Sequence, residues 1–223
     1  DGEEMAGFIG IGQVSPEGGD ELIRIDGPVR LVLAGDGRPS GAGGRVEAFT
    51  KLAESLSRRL SSGENALQAG CSVIKEFGGG YSFIALTERE EMICARDPLG
   101  VKPLEVGAVG FDLGVIASES SALDVIGAIH SGSVGRGEVV VLDPLSITRR
   151  RVSLSRCAHC AFEYVYLARP DSKLNDIRVY GVRERIGREL AREYPADGDV
   201  VVGVPETAIP FSMAYSEEAG VPV

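Results

Sequence analysis

The stretch that decides the fold is Cys160–Ser172, which reads CAFEYVYLARPDS. Two further runs stand upstream of it, RDPLGVKPL at Arg96–Leu104 and ASESSALDVIGA at Ala117–Ala128. These runs mix core residues, turn residues and charges in an order that neither the helical nor the strand period generates. Together they indicate one particular ancestry.

Upstream of these runs, apolar residues recur at helical spacing in two segments. Val46–Leu60 ends at a Ser-Ser-Gly sequence, and Asn65–Phe77 is followed by three glycines. Both segments therefore predict amphipathic helices with clear stop signals. A third, shorter helix is predicted at Ser120–Ile129.

Short β-branched or apolar runs separated by turn residues predict a series of strands. These runs are Ala6–Ile11, Val29–Ala34, Tyr81–Thr87, Glu91–Ala95, Leu104–Val109, Gly114–Ala117 and Gly137–Leu142. Strands that pair in hairpin order after two helices favour a layered α+β fold over a parallel sheet.

The pattern changes after Asp176, where a helix at Val179–Glu193 precedes the β-branched run Asp199–Val204. Such near-continuous runs are typical of buried parallel strands. A helix is predicted at Glu206–Ala219 and a strand from Gly220. Together with Asp199–Val204 they form the beginning of a βαβ unit. We therefore predict two domains, residues 1–172 and 173–223, the second of them only partly present.

Composition excludes several classes of protein. The chain has 223 residues with 33 acidic and 23 basic side chains, a net charge of −10 that argues against binding nucleic acid. The basic cluster Arg149–Arg151 is interpreted as a solvated turn. No apolar run approaches the roughly 18 residues of a membrane helix, and four Cys without a signal peptide favour a reduced, cytoplasmic protein.

In order and spacing, the three runs resemble amidophosphoribosyltransferases, the glutamine-using enzymes that open purine synthesis. That family joins an N-terminal glutaminase domain of the Ntn-hydrolase type to a C-terminal phosphoribosyltransferase domain. The resemblance extends from about Val29 to Val223 and is strongest from Gly78. It implies a reduced, Ntn-hydrolase-like α/β/β/α sandwich over residues 1–172, then the start of a phosphoribosyltransferase-type α/β domain.

The resemblance also implies that the glutaminase nucleophile is missing. In the family an N-terminal Cys precedes Gly and an apolar strand, and its own amino group serves as the base. The matching run here places Ala6 at that position, with five residues before it. A methyl group does not attack an amide. The alternative nucleophiles, Cys71 and Cys94, lie in apolar patterns where Cys usually acts as a small, inert hydrophobe.

Other glutaminase residues differ as well. The family stabilises the oxyanion with an Asn-Gly pair, and Asp36 and Gly37 occupy that position here. A carboxylate repels a developing oxyanion, whereas as plain structure Asp-Gly is a common tight turn. Arg45 stands where the family has an ammonium-binding Asp, and the segment that carries a carboxylate-binding Arg is shortened to Gly12–Pro28. Glutaminase activity is therefore predicted to be absent.

Two further motifs leave alternatives open. Pro205, Glu206 and Thr207 resemble a pyrophosphate-binding loop at a helix N-terminus, or form a structural turn. Cys157 and Cys160 have a spacing typical of metal or redox sites, and some family members hold an iron–sulfur cluster near this point. We interpret these cysteines as structural, with metal binding as the alternative, and we predict no cofactor.

Two functions follow from these losses. The first is a non-catalytic structural or regulatory module related to purine biosynthesis, which would need a partner for its incomplete βαβ unit. The second is the N-terminal part of an ammonia-dependent phosphoribosyltransferase whose phosphoribosyl-diphosphate site lies on a missing or separate chain. The expected partners are a second copy of the chain or a separate transferase-half subunit. An Ntn amidohydrolase with another nucleophile is a third interpretation.

Overall fold

The computed structural model describes residues 9–14, 22–41, 43–111, 113–152 and 156–223. The chain divides into two compact units, one of residues 1–104 and 134–159 and the other of residues 105–133 and 160–223. This division by compactness does not follow the boundary predicted at Ser172, which concerns the two domains of the family. The boundary at Ser172 therefore stays a prediction.

A six-stranded antiparallel sheet forms the first unit, in the order β1-β2-β3-β4-β8-β9. Its strands are β1 (Ile23–Ile25), β2 (Leu31–Pro39), β3 (Gly79–Thr87), β4 (Met92–Arg96), β8 (Glu138–Asp143) and β9 (Ser146–Arg151). The predicted strands at 29–34, 81–87, 91–95 and 137–142 are present with small shifts. Of the predicted strand Ala6–Ile11, residues 6–8 lie outside the described residues, and residues 9–11 do not form a regular strand.

Helices α1 (Arg45–Ser61) and α2 (Ala66–Glu76) confirm the two predicted helices of this unit. Asn65 caps α2 through a reciprocal hydrogen-bond pair with Gln68, which satisfies amides that the first helical turn leaves open. The apolar stripe of α1 enters a core shared with the sheet, in which Leu52, Leu56 and Phe83 are fully buried. The apolar residues that recur at helical spacing in the sequence are therefore the ones that the structure buries in this unit.

The predicted turn at Gly35-Asp36-Gly37 is wrong. These residues continue β2, and Gly37 pairs with Tyr81 of β3. The expected positive φ does occur, because Gly37 has φ +79°. A Cβ at Gly37 would lie 2.2 Å from the carbonyl oxygen of Gly80, so the close approach of two strands requires glycine here.

A smaller sheet, in the order β6-β5-β7, belongs to the second unit. Its strands are β5 (Glu105–Val109), β6 (Leu113–Ala117) and β7 (Ile129–Ser133). Helix α3 is Ser120–Val125, shorter than predicted, because the chain turns at Gly127 and enters β7. The predicted strands at 104–109 and 114–117 are confirmed.

The signature stretch Cys160–Ser172 contains a short π-helical segment, Glu163–Leu167. A two-residue hairpin follows, formed by β10 (Lys173–Leu174) and β11 (Ile177–Arg178). Helix α4 spans Val179–Glu193, as the sequence predicts, and α5 spans Ile209–Ala219.

The predicted strand Asp199–Val204 is wrong as a regular element. Its backbone is irregular, and Val200, Val202 and Val204 are 59%, 78% and 74% exposed. The amide of Val201 donates to the carbonyl of Pro222, a single link to the segment predicted as the next strand. A β-branched run favours a strand only where neighbouring strands supply the remaining hydrogen bonds.

Arg149–Arg151 is exposed, as predicted, but it is the end of edge strand β9 and not a turn. Charged side chains on an exposed edge disfavour pairing with another sheet. Among the described residues, no helix combines the length and the apolar character needed to cross a membrane.

Candidate functional site

The Asp36–Gly37 position lies inside β2, and its polar groups already have partners within the chain. Asp36 Oδ1 accepts the backbone N–H of Gly37 at 2.6 Å. Asp36 Oδ2 lies 3.2 Å from Nζ of Lys102 in an ion pair. Where the resemblance implies two hydrogen-bond donors for an oxyanion, the structure therefore presents a carboxylate that occupies the Gly37 amide.

Lys102 is the residue of this site that the sequence did not predict. It belongs to the run Arg96–Leu104, one of the three runs that carry the family resemblance. The pairing of Gly37 with Tyr81 in the sheet, and the turn that follows β4, bring Lys102 to β2. No sequence spacing signals a contact between positions 36 and 102.

A second cation lies beside the same stretch of β2. Arg45, the first residue of α1, donates through Nη2 to the carbonyl oxygen of Gly35 at 2.5 Å. Its guanidinium carbon is 5.8 Å from the ring centroid of Phe49, within the range of a cation–π contact. The position that would bind a substrate ammonium in the family therefore carries a fixed positive charge.

The turn after β4 is held by the buried carboxylate of Asp97. Its oxygens accept the amides of Leu99, Gly100 and Val101 within the turn, at 2.7 to 3.0 Å. Across the sheet they also accept the amide of Tyr81 at 3.2 Å. Four amides on one carboxylate fix the backbone between β4 and Lys102.

Arg96 is fully buried and donates to two carbonyl oxygens. One bond goes to Val134 at 3.1 Å and the other to Gly100 at 2.7 Å. The planar guanidinium thus links the turn to the start of the segment that leads into β8. Arg96 and Asp97 therefore both stabilise this turn.

Ala6 lies outside the described residues, so its prediction as the nucleophile position is not placed by the structure. The two alternative cysteines are placed. Cys71 lies in α2 and Cys94 in β4, and both are buried. Burial raises the pKa of each thiol, and that of Cys94 strongly. A raised pKa disfavours the thiolate that a nucleophile needs.

Cys157 is exposed and Cys160 is partly exposed, at the end of the first unit and the start of the second. Between them, partial burial and the charge of Arg96 lower the pKa of His159. Within the ranges that the structure describes, no group of three or more His, Cys, Asp or Glu side chains is arranged to hold a metal ion.

Pro205, Glu206 and Thr207 form a turn directly before α5, which begins three residues later than predicted. The amide of Ile209 donates back to the carbonyl of Glu206 at 3.3 Å, and the Glu206 side chain is exposed. The predicted turn is present, whereas its role in pyrophosphate binding stays a proposal.

Comparison with known proteins places this geometry in a family. Residues 50–125 match the model of a glutamine amidotransferase domain. The amidophosphoribosyltransferase of Methanothermobacter thermautotrophicus is 41% identical over 168 residues, which are 75% of this chain and 35% of that protein. That of Bacillus subtilis is 39% identical over 145 residues, 65% of this chain and 30% of its own length.

A solved structure agrees with these sequences. Glutamine phosphoribosylpyrophosphate amidotransferase from B. subtilis, complexed with ADP and GMP, superimposes with a TM-score of 0.79 at 31% identity, covering 92% of this chain and 47% of that chain. The chain belongs to the amidophosphoribosyltransferase family. The predicted α+β class and Ntn-hydrolase-type fold are thereby confirmed.

The chain spans about a third of the length of the curated amidophosphoribosyltransferases it matches and about half of the solved chain. Membership of the family therefore does not by itself assign the activity of those longer proteins to this chain.

Proposed function

We propose that this amidophosphoribosyltransferase relative does not hydrolyse glutamine and serves as a structural or regulatory module connected with purine biosynthesis. The observation that carries the proposal is the Asp36–Gly37 arrangement, in which the Gly37 amide donates to the Asp36 carboxylate at 2.6 Å. We infer a cytoplasmic protein that works with a protein partner.

Amide hydrolysis needs donors directed at the oxygen on which negative charge develops, and removing one such donor typically lowers the rate by about 10²–10³-fold. At this position Asp36 contributes no donor when ionised, and it competes for the Gly37 amide. The Nζ atom of Lys102 lies 3.2 Å from Oδ2 of Asp36 and offsets part of the carboxylate charge. The local arrangement is therefore stable by itself and unsuited to an oxyanion.

Substrate binding meets a similar obstacle. Glutamine carries an α-ammonium group, and the family binds that group with an Asp. Here the corresponding Arg45 guanidinium is held against the Gly35 carbonyl and the Phe49 ring. Two like charges in a partly buried site repel, so Arg45 disfavours a glutamine bound in the usual orientation.

A diazoketone analogue of glutamine tests this proposal, because it alkylates a nucleophile that binds and attacks glutamine-like substrates. We expect the intact mass of the chain to stay unchanged after incubation. A catalytically active family member treated in parallel should gain one adduct. A single stoichiometric adduct on this chain, blocked by excess glutamine, would contradict the proposal.

The exposed segment Val200–Val204 supports a second candidate function, an ammonia-dependent phosphoribosyltransferase completed by another chain. Three exposed valines precede the turn Pro205–Thr207. A strand supplied by a transferase-half subunit, or by a second copy, would cover them. In that assembly the turn would contribute pyrophosphate-binding amides.

Reconstitution tests the second candidate. The chain is combined with the product of its neighbouring reading frame, and phosphoribosylamine formation from ammonia and phosphoribosyl diphosphate is followed. Product that depends on both chains supports it, and no product contradicts it.

Sedimentation of the chain alone tests the first proposal, that the chain is a structural or regulatory module with a partner. A well-behaved monomer without a co-purifying protein argues against that proposal.

A further inference from the structure

A pocket of about 710 Å³ lies within the second compact unit, separate from the Asp36 site. Its walls come from α3, β7, the Arg169–Lys173 segment and the start of α4. The lining residues are Ser120, Asp124, His130, Arg169, Pro170, Asp171, Lys173, Arg178 and Tyr180. Neither the family comparison nor the proposed function gives this pocket a role.

Two cationic residues, Lys173 and Arg178, line the pocket and are neighbours in the hairpin. Lys173 of β10 and Arg178 of β11 are directly opposed in the two-residue hairpin. Like charges in this position destabilise a strand pair. Within the described part of the chain neither side chain forms an ion pair. An anion between them would relieve the repulsion that the hairpin otherwise retains.

The third cation, Arg169, is already engaged. Its guanidinium donates to both carboxylate oxygens of Asp171, at 3.0 and 2.8 Å, on an exposed surface. The charge left for a ligand therefore comes mainly from Lys173 and Arg178. In a chain with a net charge of −10, this local excess of positive charge is a distinct feature.

Ser120 adds a buried donor. It is 4% exposed, and its hydroxyl oxygen accepts the backbone N–H of Lys173 at 2.7 Å. No acceptor for its own proton is found among the described residues. The positive end of the 15-residue helix α4 begins one residue after Arg178, which adds to the attraction for an anion.

The pocket also carries hydrogen-bond acceptors. The carboxylates of Asp124 and Asp171 line it together with the His130 ring, whose Nε2 lies 2.7 Å from the buried carboxylate of Glu105. Carboxylates repel a bare phosphate but accept hydrogen bonds from hydroxyl groups. A ligand that combines a phosphate with hydroxyls uses both kinds of lining residue.

We propose that this pocket binds a phosphorylated, hydroxyl-bearing small molecule, with its phosphate between Lys173, Arg178 and the Ser120 hydroxyl. The hydroxyl groups of the ligand then donate to Asp124 and Asp171. The volume admits a molecule of sugar-phosphate size. The proposal is independent of whether the chain hydrolyses glutamine.

Isothermal titration calorimetry on the full chain tests it, with glucose 6-phosphate, ribose 5-phosphate, inorganic phosphate and glucose as separate probes. We expect the two sugar phosphates to bind at one site, inorganic phosphate to bind more weakly, and glucose not to bind. Equal affinity for inorganic phosphate and the sugar phosphates would overturn the role of the carboxylates. No binding of any phosphate at millimolar concentration would overturn the proposal.

Variants locate the site. Lys173→Gln and Arg178→Gln should each weaken sugar-phosphate binding by about tenfold, the effect of losing one charge-assisted hydrogen bond. Arg185→Gln is the matched control, because Arg185 is exposed on α4, the helix that follows Arg178, and does not line the pocket. Binding that is equally weakened in Arg185→Gln, or unchanged in all three variants, would contradict the assignment.

Discussion

Two carboxylates of the first unit, Asp97 and Asp36, both accept hydrogen bonds from backbone amides, but they differ in burial and in the number of amides. Asp97 is fully buried and accepts four backbone amides, which fixes the turn after β4. Asp36 is about half exposed, accepts one amide and pairs with Lys102. The first arrangement maintains the scaffold, and the second occupies the position at which the family resemblance implies catalysis. The number of amides that a carboxylate accepts thus distinguishes a residue that fixes the backbone from one that is held by a single amide and an ion pair.

The largest expected effect in this comparison comes from Asp97→Ala. It would remove a buried acceptor shared by four amides, of which the Gly100 amide keeps a second acceptor in the Asp97 carbonyl at 3.0 Å. We expect a cost of about 4 kcal/mol in the free energy of unfolding. Urea denaturation followed by circular dichroism measures the loss. Asp143→Ala is the control, because Asp143 accepts the amides of Leu145 and Ser146 in an exposed turn. Equal losses of unfolding free energy in the two variants would contradict the claim that burial makes the hydrogen bonds of Asp97 more stabilising.

Gly37→Ala should rank second. The new Cβ would meet the Gly80 carbonyl at 2.2 Å and would also force a side chain into φ +79°. We expect a loss of about 2–3 kcal/mol in unfolding free energy. Gly127→Ala separates the two causes, because Gly127 has φ +71° and open space around it. That control should lose only about 1 kcal/mol. A control as damaging as Gly37→Ala would show that strand contact is unimportant.

The Asp36–Lys102 pair should contribute less. Its Asp36 side chain is 47% exposed, and partly exposed ion pairs contribute about 0.5 kcal/mol. A double-mutant cycle with Asp36→Asn, Lys102→Gln and the double variant measures the coupling energy by urea denaturation. A coupling above about 2 kcal/mol would place this pair with the scaffold residues instead.

The smallest effect on the unfolding free energy is expected for the Arg59–Glu76 pair, which represents the ion pairs at the surface. Hydrogen bonds from Arg59 and Ser55 lower the pKa of the Glu76 carboxyl below its ordinary value of 4.5. A lowered folded-state pKa stabilises the chain above pH 4.5, and that contribution is lost as the pH falls through the folded-state pKa. Glu76→Gln should therefore reduce the loss of stability that the parent chain shows as the pH falls below 4.5. A slope identical to that of the parent chain would exclude Glu76 as a contributor.

Local periodicity predicted most of the fold. The apolar spacing of α1, α2 and α4, and the β-branched runs of β3 to β6 and β8, gave elements within a few residues of those observed. The errors arose where neighbours decide the outcome. Gly35–Gly37 has turn composition but continues a strand because it pairs with residues 81–83 of β3. Asp199–Val204 has strand composition, but among the described residues no strand pairs with it.

The candidate site could be predicted only in part. Asp36 and Arg45 were found through the family resemblance, which assigns chemistry to positions. Lys102 was missed because the sheet, not the sequence spacing, brings it to Asp36. The opposed Lys173 and Arg178 were missed for the same reason, since a two-residue hairpin carries too little pattern to be recognised. Contacts between distant strands are the information that local reasoning lacks.

The most direct test of the central claim is glutamate release from glutamine by the purified chain, measured beside an active family member. Asp36→Asn is assayed with it, because that change returns the side-chain donor that the resemblance implies. We expect both proteins to release no glutamate above the protein-free rate, since the donor alone supplies no nucleophile. Glutamate release by the parent chain that rises with protein concentration and disappears on heating would contradict the account.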